Sequence, residues 1–237
     1  ALTSGAGNTA VGYQSLNTAS TAQYNTALGY QALTGVSDSE GNIGIGYLAG
    51  DGISTGDFNI CIGKNAGGNF DAEDYNIFIG AEAGSGAING ADSCIAIGTS
   101  ALVGAVTQNG TVAIGREALI ALTSGAGNTA IGYLAANATI AGENNTVVGY
   151  GAFEDFGHAD ADGNTVMGFN AMGGGHSTAS NNEASYNVAI GGNAIGGSTG
   201  TSTAVTAENN VGIGWGALAT ISTGSHNIAL GKDAANV

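Results

Sequence analysis

A short motif that ends in glycine recurs thirteen times along this chain of 237 residues. Its copies include NTAVG at 8–12, NIFIG at 76–80 and NTAIG at 128–132. The closing glycines are Gly12, Gly29, Gly46, Gly63, Gly80, Gly98, Gly115, Gly132, Gly149, Gly168, Gly191, Gly214 and Gly231. A 17-residue period dominates, and the longest intervals lie between Gly149 and Gly214. So short a unit has no core of its own, so the repeat predicts a solenoid whose stacked coils share one core.

The columns of the repeat predict the local structure of each coil. The residue one before the glycine is apolar and the residue three before it is β-branched in every copy. Side chains two apart point to the same side of a strand, so we expect these two columns to face the core. Alanine or glycine usually stands between them, and alanine three positions after the glycine predicts a second strand or near-strand. Asparagine four before the glycine, in eleven of thirteen copies, predicts a hydrogen-bonded ladder from coil to coil.

These columns predict an all-β fold, a parallel β-solenoid or β-roll of about thirteen 17-residue coils. We expect residues 1–237 to form one repeat domain, with longer inserted loops between 149 and 214. Parallel strands stack about 4.8 Å apart, so thirteen coils predict a rod on the order of 60 Å long. Forty-four glycines and no proline argue against long helices. We interpret the chain, which has no initiator methionine, as a fragment of a longer polypeptide.

The charge balance limits the partners. Three basic residues stand against eighteen acidic ones, a formal net charge of −15. Nucleic acid is therefore not expected as a partner, and no apolar run is long enough to predict membrane insertion. Cys61 and Cys94 are interpreted as small side chains compatible with a core.

The segments GNTAVGYQSL, YNTALGYQAL and GNTAIGYLAA resemble the repeats of phage tail-fibre proteins, especially those whose C-terminal chaperone is trimmed off after trimerisation. They are more distantly similar to the head repeats of trimeric autotransporter adhesins. The resemblance covers nearly the whole chain and implies a left-handed roll assembled as a homotrimer.

The resemblance also implies a role and a location. The chain would be a structural or adhesive shaft or head segment of a virion fibre, which attaches to a glycan or protein receptor on a host surface. The alternative is a head segment of a bacterial adhesin that binds a host or matrix surface. The expected location is the virion tail fibre, or the extracellular space and cell surface.

The position directly after the glycine is the main candidate for contacts. It carries an aromatic row of seven residues: Tyr13, Tyr30, Tyr47, Tyr133, Tyr150, Phe169 and Trp215. It also carries all three basic residues, Lys64, Arg116 and Lys232. Two interpretations stay open: an exposed stripe that stacks on receptor sugars, or a ladder of rings packed along the stack or between chains. Packing is the favoured interpretation, because stacking energy alone selects a regular ladder.

No pattern predicts catalysis or a cofactor. DADG at 160–163 offers Asp160, Asp162 and Asn164 as weak candidate calcium ligands, but the glutamate of an EF-hand is missing, so a solvated acidic loop is favoured. His158, His176 and His226 lie in separate variable segments. No catalytic triad or phosphate loop is recognisable, so we predict that the protein is not an enzyme. Ice binding is disfavoured, because threonine fills only five of the thirteen β-branched positions and that column is assigned to the core.

Overall fold

The computed structural model describes residues 5–86, 88–154, 161–173, 184–196, 206–221 and 223–235. Within these ranges the protein is all-β, with thirteen strands and no helix. Each strand has three residues and ends directly before one closing glycine. The strands are β1 Thr9–Val11, β2 Thr26–Leu28, β3 Ile43–Ile45, β4 Ile60–Ile62, β5 Ile77–Ile79, β6 Ile95–Ile97, β7 Val112–Ile114, β8 Thr129–Ile131, β9 Thr146–Val148, β10 Thr165–Met167, β11 Val188–Ile190, β12 Val211–Ile213 and β13 Ile228–Leu230.

The chain divides into two compact units, Ala1–Arg116 with β1 to β7 and Glu117–Val237 with β8 to β13. In the first unit each strand pairs in parallel with the next one along the chain. The second unit repeats this order from β8 to β13. Pairing joins equivalent positions of successive copies, so that Ile43 lies opposite Ile60. Each unit is therefore a parallel β-solenoid, as the repeat predicts.

The closing glycines form the corner of each coil and stack on one another. Their φ angles are positive throughout, for example +134° at Gly63 and +145° at Gly149. A Cβ atom placed on Gly63 would lie 2.5 Å from the carbonyl oxygen of Gly80 in the next coil. Both the backbone conformation and the close approach exclude any larger residue, which explains why every copy has glycine here.

The strands face the opposite way from the sequence prediction. The middle residue is buried in every strand from β2 to β13, and Ala27, Phe78 and Ala113 are fully buried. The residues before and after it point outward, so the assignment of the β-branched and aliphatic columns to the core is wrong. The reason is the asparagine four before the glycine. It lies two residues before the middle position, so both point to the same side, and its ladder is buried.

The segment after each glycine is a turn rather than a regular second strand, and within the described residues only an isolated parallel bridge between Ile195 and Leu218 resembles the predicted near-strand. The residues two and four after the glycine adopt left-handed conformations in most copies, as at Gln31 (φ +52°) and Leu33 (φ +49°), although Ile195 and Leu218 do not. An extended strand cannot contain such residues. The alanine between them, Ala32 in this coil, is fully buried and completes the narrow core.

The core is matched in volume from coil to coil. Phe78 is fully buried, and glycines lie against its ring. A Cβ atom on Gly84 would lie 2.5 Å from its Cδ1, and one on Gly67 would lie 3.0 Å from its Cδ2. A large side chain in one coil is therefore accommodated by glycine in its neighbourhood, as close packing of a protein interior requires.

Candidate interaction surfaces

A ladder of buried asparagines holds successive coils in register, which confirms that sequence prediction. The Asn42 side-chain oxygen accepts hydrogen bonds from the backbone N–H of Asn59 (2.8 Å) and from its Nδ2 (3.1 Å). Nδ2 of Asn59 also donates to the backbone carbonyl of Glu73 (2.8 Å). The second unit repeats this pattern, for example between Asn128 and Asn145. Each asparagine thus satisfies backbone groups that the narrow core would otherwise leave unpaired.

Cys94 and Thr111 replace asparagine in the two copies that break the ladder. The backbone N–H of Cys94 donates to the side-chain oxygen of Asn76 (2.8 Å), as an asparagine there would. Its thiol lies 3.7 Å from the carbonyl oxygen of Gln108. In other coils the equivalent carbonyl accepts a hydrogen bond from Nδ2 of the ladder asparagine, as the Glu73 carbonyl does from Asn59. Cys94 and Cys61 are both free thiols in buried positions, and burial raises the pKa of each. Their interpretation as core residues is confirmed.

The outward side of the strands is an apolar face. We call it the outer face and define it as the residues one and three before each closing glycine. Large apolar side chains of this face are exposed in both units: Val11, Leu28, Ile131, Met167, Ile213, Ile228 and Leu230. Neither column contains a charged residue. The threonines of this face therefore do not lie in the core, and the argument against ice binding that placed them there is wrong. The second argument still holds, because threonine fills only five of the thirteen β-branched positions.

The aromatic row lies along one margin of the outer face and forms stacked ladders. The ring centroids of Tyr13 and Tyr30 are 5.1 Å apart, and those of Tyr30 and Tyr47 are 5.3 Å apart. Tyr133, Tyr150 and Phe169 stack in the same way at 5.0 and 5.6 Å. The ring of Trp215 contacts Gly192, the glycine at this position one coil earlier.

The stacking decides which parts of these rings a ligand can reach. Tyr30 and Tyr150 each have a stacked ring on both sides, so their faces are covered and their edges are exposed. A sugar that stacks needs an uncovered ring face, and the neighbouring rings leave none on Tyr30 or Tyr150. This geometry favours packing for the middle rings and leaves Trp215, which is 51% exposed, as the best candidate for a receptor contact. Both interpretations of the row stay predictions.

A second aromatic column, five residues before the closing glycine, was missed by the sequence analysis. It contains Tyr24, Phe58, Tyr75 and Tyr186, all in the left-handed region and all exposed. Three of these rings lie over a glycine one coil earlier: Tyr24 over Gly7, Phe58 over Gly41 and Tyr186 over Gly163. The signal in the sequence is the position directly before the ladder residue, which holds glycine in five copies, an aromatic residue in four and serine, asparagine or histidine in the other four.

A cavity of about 300 Å³ that is open to solvent lies in the first unit. Its lining is Leu48, Asp51, Asn65, Gly68, Asn69, Glu82 and Ser85. Burial raises the pKa of Asp51. The side-chain oxygen of Asn65 is buried and has no hydrogen-bond partner in the described part of the chain.

The candidate calcium loop and two of the histidines fall largely outside the described residues. Asp160, His158 and His176 are not among them. Asp162 accepts a hydrogen bond from the backbone N–H of Glu143 (2.7 Å), and Asn164 belongs to the buried ladder. Over the described ranges, no three or more histidine, cysteine, aspartate or glutamate side chains cluster as metal ligands would. The same residues contain no helix long and apolar enough to span a membrane.

The fold places this chain in the class of parallel β-solenoids, here built mostly from 17-residue coils. Comparison with protein-family models, with curated proteins and with solved structures found no match.

Proposed function

We propose that this chain is a structural and adhesive segment of a trimeric virion fibre, most closely resembling a phage tail fibre, that contributes to attachment at a host surface. The role is mechanical. Coils locked in register by the asparagine ladder give a stiff spacer, and the longer loops or neighbouring segments of the fibre contact the host. The head of a bacterial trimeric adhesin is the alternative and has the same physical basis.

The observation that carries the proposal is the uncharged outer face that a single chain leaves exposed. Val11 is 55% and Leu28 is 48% exposed in the first unit, and Met167 is 47% exposed in the second. Seven strands about 4.8 Å apart, each of three residues and so about 10 Å long, give a face on the order of 300 Å² in the first unit. Monomeric proteins rarely expose larger apolar patches, and a standard interface buries about 800 Å² per partner.

The distribution of charge favours further copies of the same chain as the partners. Since the outer face carries no charge, copies can meet there without opposing carboxylates. The acidic residues lie in the turns and loops, where they keep an assembly soluble. A trimer would have a formal charge of 3 × −15 = −45.

Light scattering combined with size-exclusion chromatography tests the assembly. We expect a mass three times that of the 22.8 kDa chain. Leu28→Lys together with Ile131→Lys should convert the trimer to monomers, because both side chains are exposed in one chain and would be buried between chains. Thr55→Lys, at an exposed turn residue, is the matched control and should leave the mass unchanged. A monomeric wild-type protein would refute the trimer.

Binding to host cells and to a glycan array tests attachment. The intact fibre should bind host cells, and Trp215→Ala should reduce binding if the aromatic row contacts the receptor. Tyr150→Ala is the internal comparison, because its ring faces are covered by stacking. Equal binding by the wild-type protein and both variants would mean that the aromatic row only packs within the fibre and that the receptor contacts other residues. Absence of binding by the whole fibre would refute the adhesive role.

A further inference from the structure

The outer face alone is too small for a stable contact between copies of the chain. It measures on the order of 300 Å² in the first unit, whereas a standard interface buries about 800 Å² per partner. An interface built on this face therefore needs the residues on both sides of it as well.

The outer face has two margins, and they differ in charge. We call the position directly after each closing glycine the first margin, and the positions five and six before it the second margin. The first margin holds every basic residue of the chain: Lys64, Arg116 and Lys232. The second margin holds seven of the eighteen acidic residues, all at least partly exposed: Glu40, Asp57, Asp74, Asp92, Glu143, Asp162 and Glu208. A three-residue strand, about 10 Å long, separates the margins of a coil, so this opposite charge suits a contact between chains.

The margins also match in size, coil by coil. In every coil with glycine five before the closing glycine, the residue directly after the closing glycine is aromatic or arginine. These pairs are Gly7 with Tyr13, Gly41 with Tyr47, Gly110 with Arg116, Gly127 with Tyr133 and Gly163 with Phe169. The two smallest residues of the first margin share their coils with tyrosine: Ala81 with Tyr75 and Gly192 with Tyr186. Both residues are large in three coils: Tyr30 with Tyr24, Lys64 with Phe58 and Lys232 with His226.

Contacts within one chain do not explain this matching. A Cβ atom on Gly110 would meet nothing within 4 Å. The ring of Phe58 lies over Gly41, but the ring of Tyr75 in turn stacks on Phe58 with centroids 5.5 Å apart, so a ring in the next coil does not require glycine. The left-handed backbone at Tyr75 (φ +60°) favours glycine over a bulky residue, and its side chain is 59% exposed. A ring at this position therefore gains burial only from a contact outside the chain.

The stacking of the rings explains why the match is made coil by coil. Tyr30 and Tyr47 stack with centroids 5.3 Å apart and an interplanar angle of 12°, so each ring extends sideways at the level of one coil. A residue that faces such a ring at the same level must be small. Both margins lean towards the preceding coil, so their levels stay matched: Tyr186 lies over Gly163, and Trp215 lies over Gly192.

We propose that the first margin of one copy packs against the second margin of the next copy, at the same coil level, in a closed ring of parallel copies. Copies that met through like margins, as across a two-fold axis, would place basic residues together and carboxylates together. Unlike margins meet when parallel copies surround an axis along the stack, and such heterologous contacts can close into a ring. Lys64 then lies beside the next copy's Asp57. The inference rests on the proposed self-assembly and adds to it the orientation of the copies and the absence of an axial offset.

Sedimentation equilibrium over a range of protein concentrations tests the proposal with variants that enlarge one residue of the first margin. Ala81→Tyr places a ring opposite the next copy's Tyr75 and should raise the concentration at which the assembly dissociates about tenfold or more. Thr99→Tyr is the matched control, because it adds the same ring one coil later, opposite Ser93, and should change that concentration less than about threefold. Tyrosine occupies this position in five other coils, so circular dichroism should show that both variants fold like the wild type.

A second substitution in Ala81→Tyr determines the axial register. Tyr75→Gly should restore assembly, because it removes the ring that faces the new tyrosine. Phe58→Gly removes a ring one coil earlier and should not restore it.

A pair of variants on the second margin gives an independent measurement. Asn144→Tyr should weaken assembly about tenfold or more, because it faces the next copy's Tyr150, while Gly127 and Gly163 leave room for the ring within its own chain. Ser93→Tyr, opposite Thr99, is its control and should assemble like the wild type.

The inference and the trimer can fail separately. A wild-type trimer in which Ala81→Tyr assembles as well as Thr99→Tyr would overturn the inference and leave the trimer intact. The same holds if Tyr75→Gly restores assembly no better than Phe58→Gly. If Ala81→Tyr does not fold, the second margin decides, and equal assembly of Asn144→Tyr and Ser93→Tyr would overturn the inference. A wild-type protein that is monomeric at every concentration would overturn both.

Discussion

Removal of one rung of the asparagine ladder should destabilise the first unit far more than an ordinary polar substitution. In Asn42 the side-chain oxygen accepts two hydrogen bonds from Asn59, and Nδ2 donates to the carbonyl of Gly56 (2.8 Å) and to the Ser39 hydroxyl (3.1 Å). The whole side chain is buried. Asn42→Ala therefore leaves the Asn59 N–H and the Gly56 carbonyl buried without a partner.

The magnitude follows from these orphaned groups. Each buried donor or acceptor without a partner costs about 1–3 kcal/mol, so two of them cost about 2–6 kcal/mol. A value near 4 kcal/mol would place Asn42→Ala among the most damaging single substitutions. Asn109→Ala is the matched control, because Asn109 accepts one hydrogen bond from the N–H of Asp92 (2.9 Å) at an exposed position. It should cost about 0.5–1.5 kcal/mol.

Urea denaturation followed by circular dichroism measures the difference between the two variants. Stacked repeats need not unfold in a two-state transition, so a free energy from urea denaturation alone depends on that assumption. Hydrogen exchange at the backbone N–H of Asn59 gives the local free energy of opening without it. We expect this amide to lose protection in Asn42→Ala and to keep it in Asn109→Ala. If the two variants differed by less than about 1 kcal/mol, the ladder would not be the main polar support of the core.

Three further changes test separate parts of the structure. Cys94→Asn should raise the denaturation midpoint, with a gain of about 1 kcal/mol, because a full amide would replace the weak thiol contact with Gln108; an unchanged midpoint would contradict this. Phe78→Ala should cost about 3–5 kcal/mol in the free energy of unfolding, because its ring is buried between glycines that cannot fill the space; a cost below about 1 kcal/mol would show that the core collapses there. Asp51→Asn should raise the melting temperature at neutral pH. The folded-state pKa of Asp51 is raised, so its ionised form lowers stability above that pKa and the penalty is relieved as pH falls; a lower melting temperature at neutral pH would contradict this.

The position of every strand was predictable from the sequence, whereas the direction in which its side chains point was not. Each strand ends before a closing glycine because the +134° conformation at a residue such as Gly63 is open only to glycine. The inward direction was predicted from apolarity alone, which favoured Ile60 and Ile62 over Cys61. Burial of the asparagine ladder settles the direction instead, and the outer face is apolar although it points away from the core.

The other differences between prediction and structure depend on backbone conformation and on contacts between coils, which the aligned repeats of the sequence do not show. The alanine after the glycine is typical of a strand, but left-handed residues such as Gln31 and Leu33 flank it, and their conformation depends on the stacked neighbours. The second aromatic column was hidden because glycine fills much of it.

The spacing of the closing glycines in an experimental density map tests the central claim most directly. Within each unit, successive corner Cα atoms, such as those of Gly29, Gly46 and Gly63, should lie about 4.8 Å apart along one line. The side chain of Cys61 should point into the coil, and that of Ile62 should point out of it. Corners that are scattered, or separated by clearly more than this strand spacing, would contradict the stacked solenoid, and an inward Ile62 would contradict the outer face.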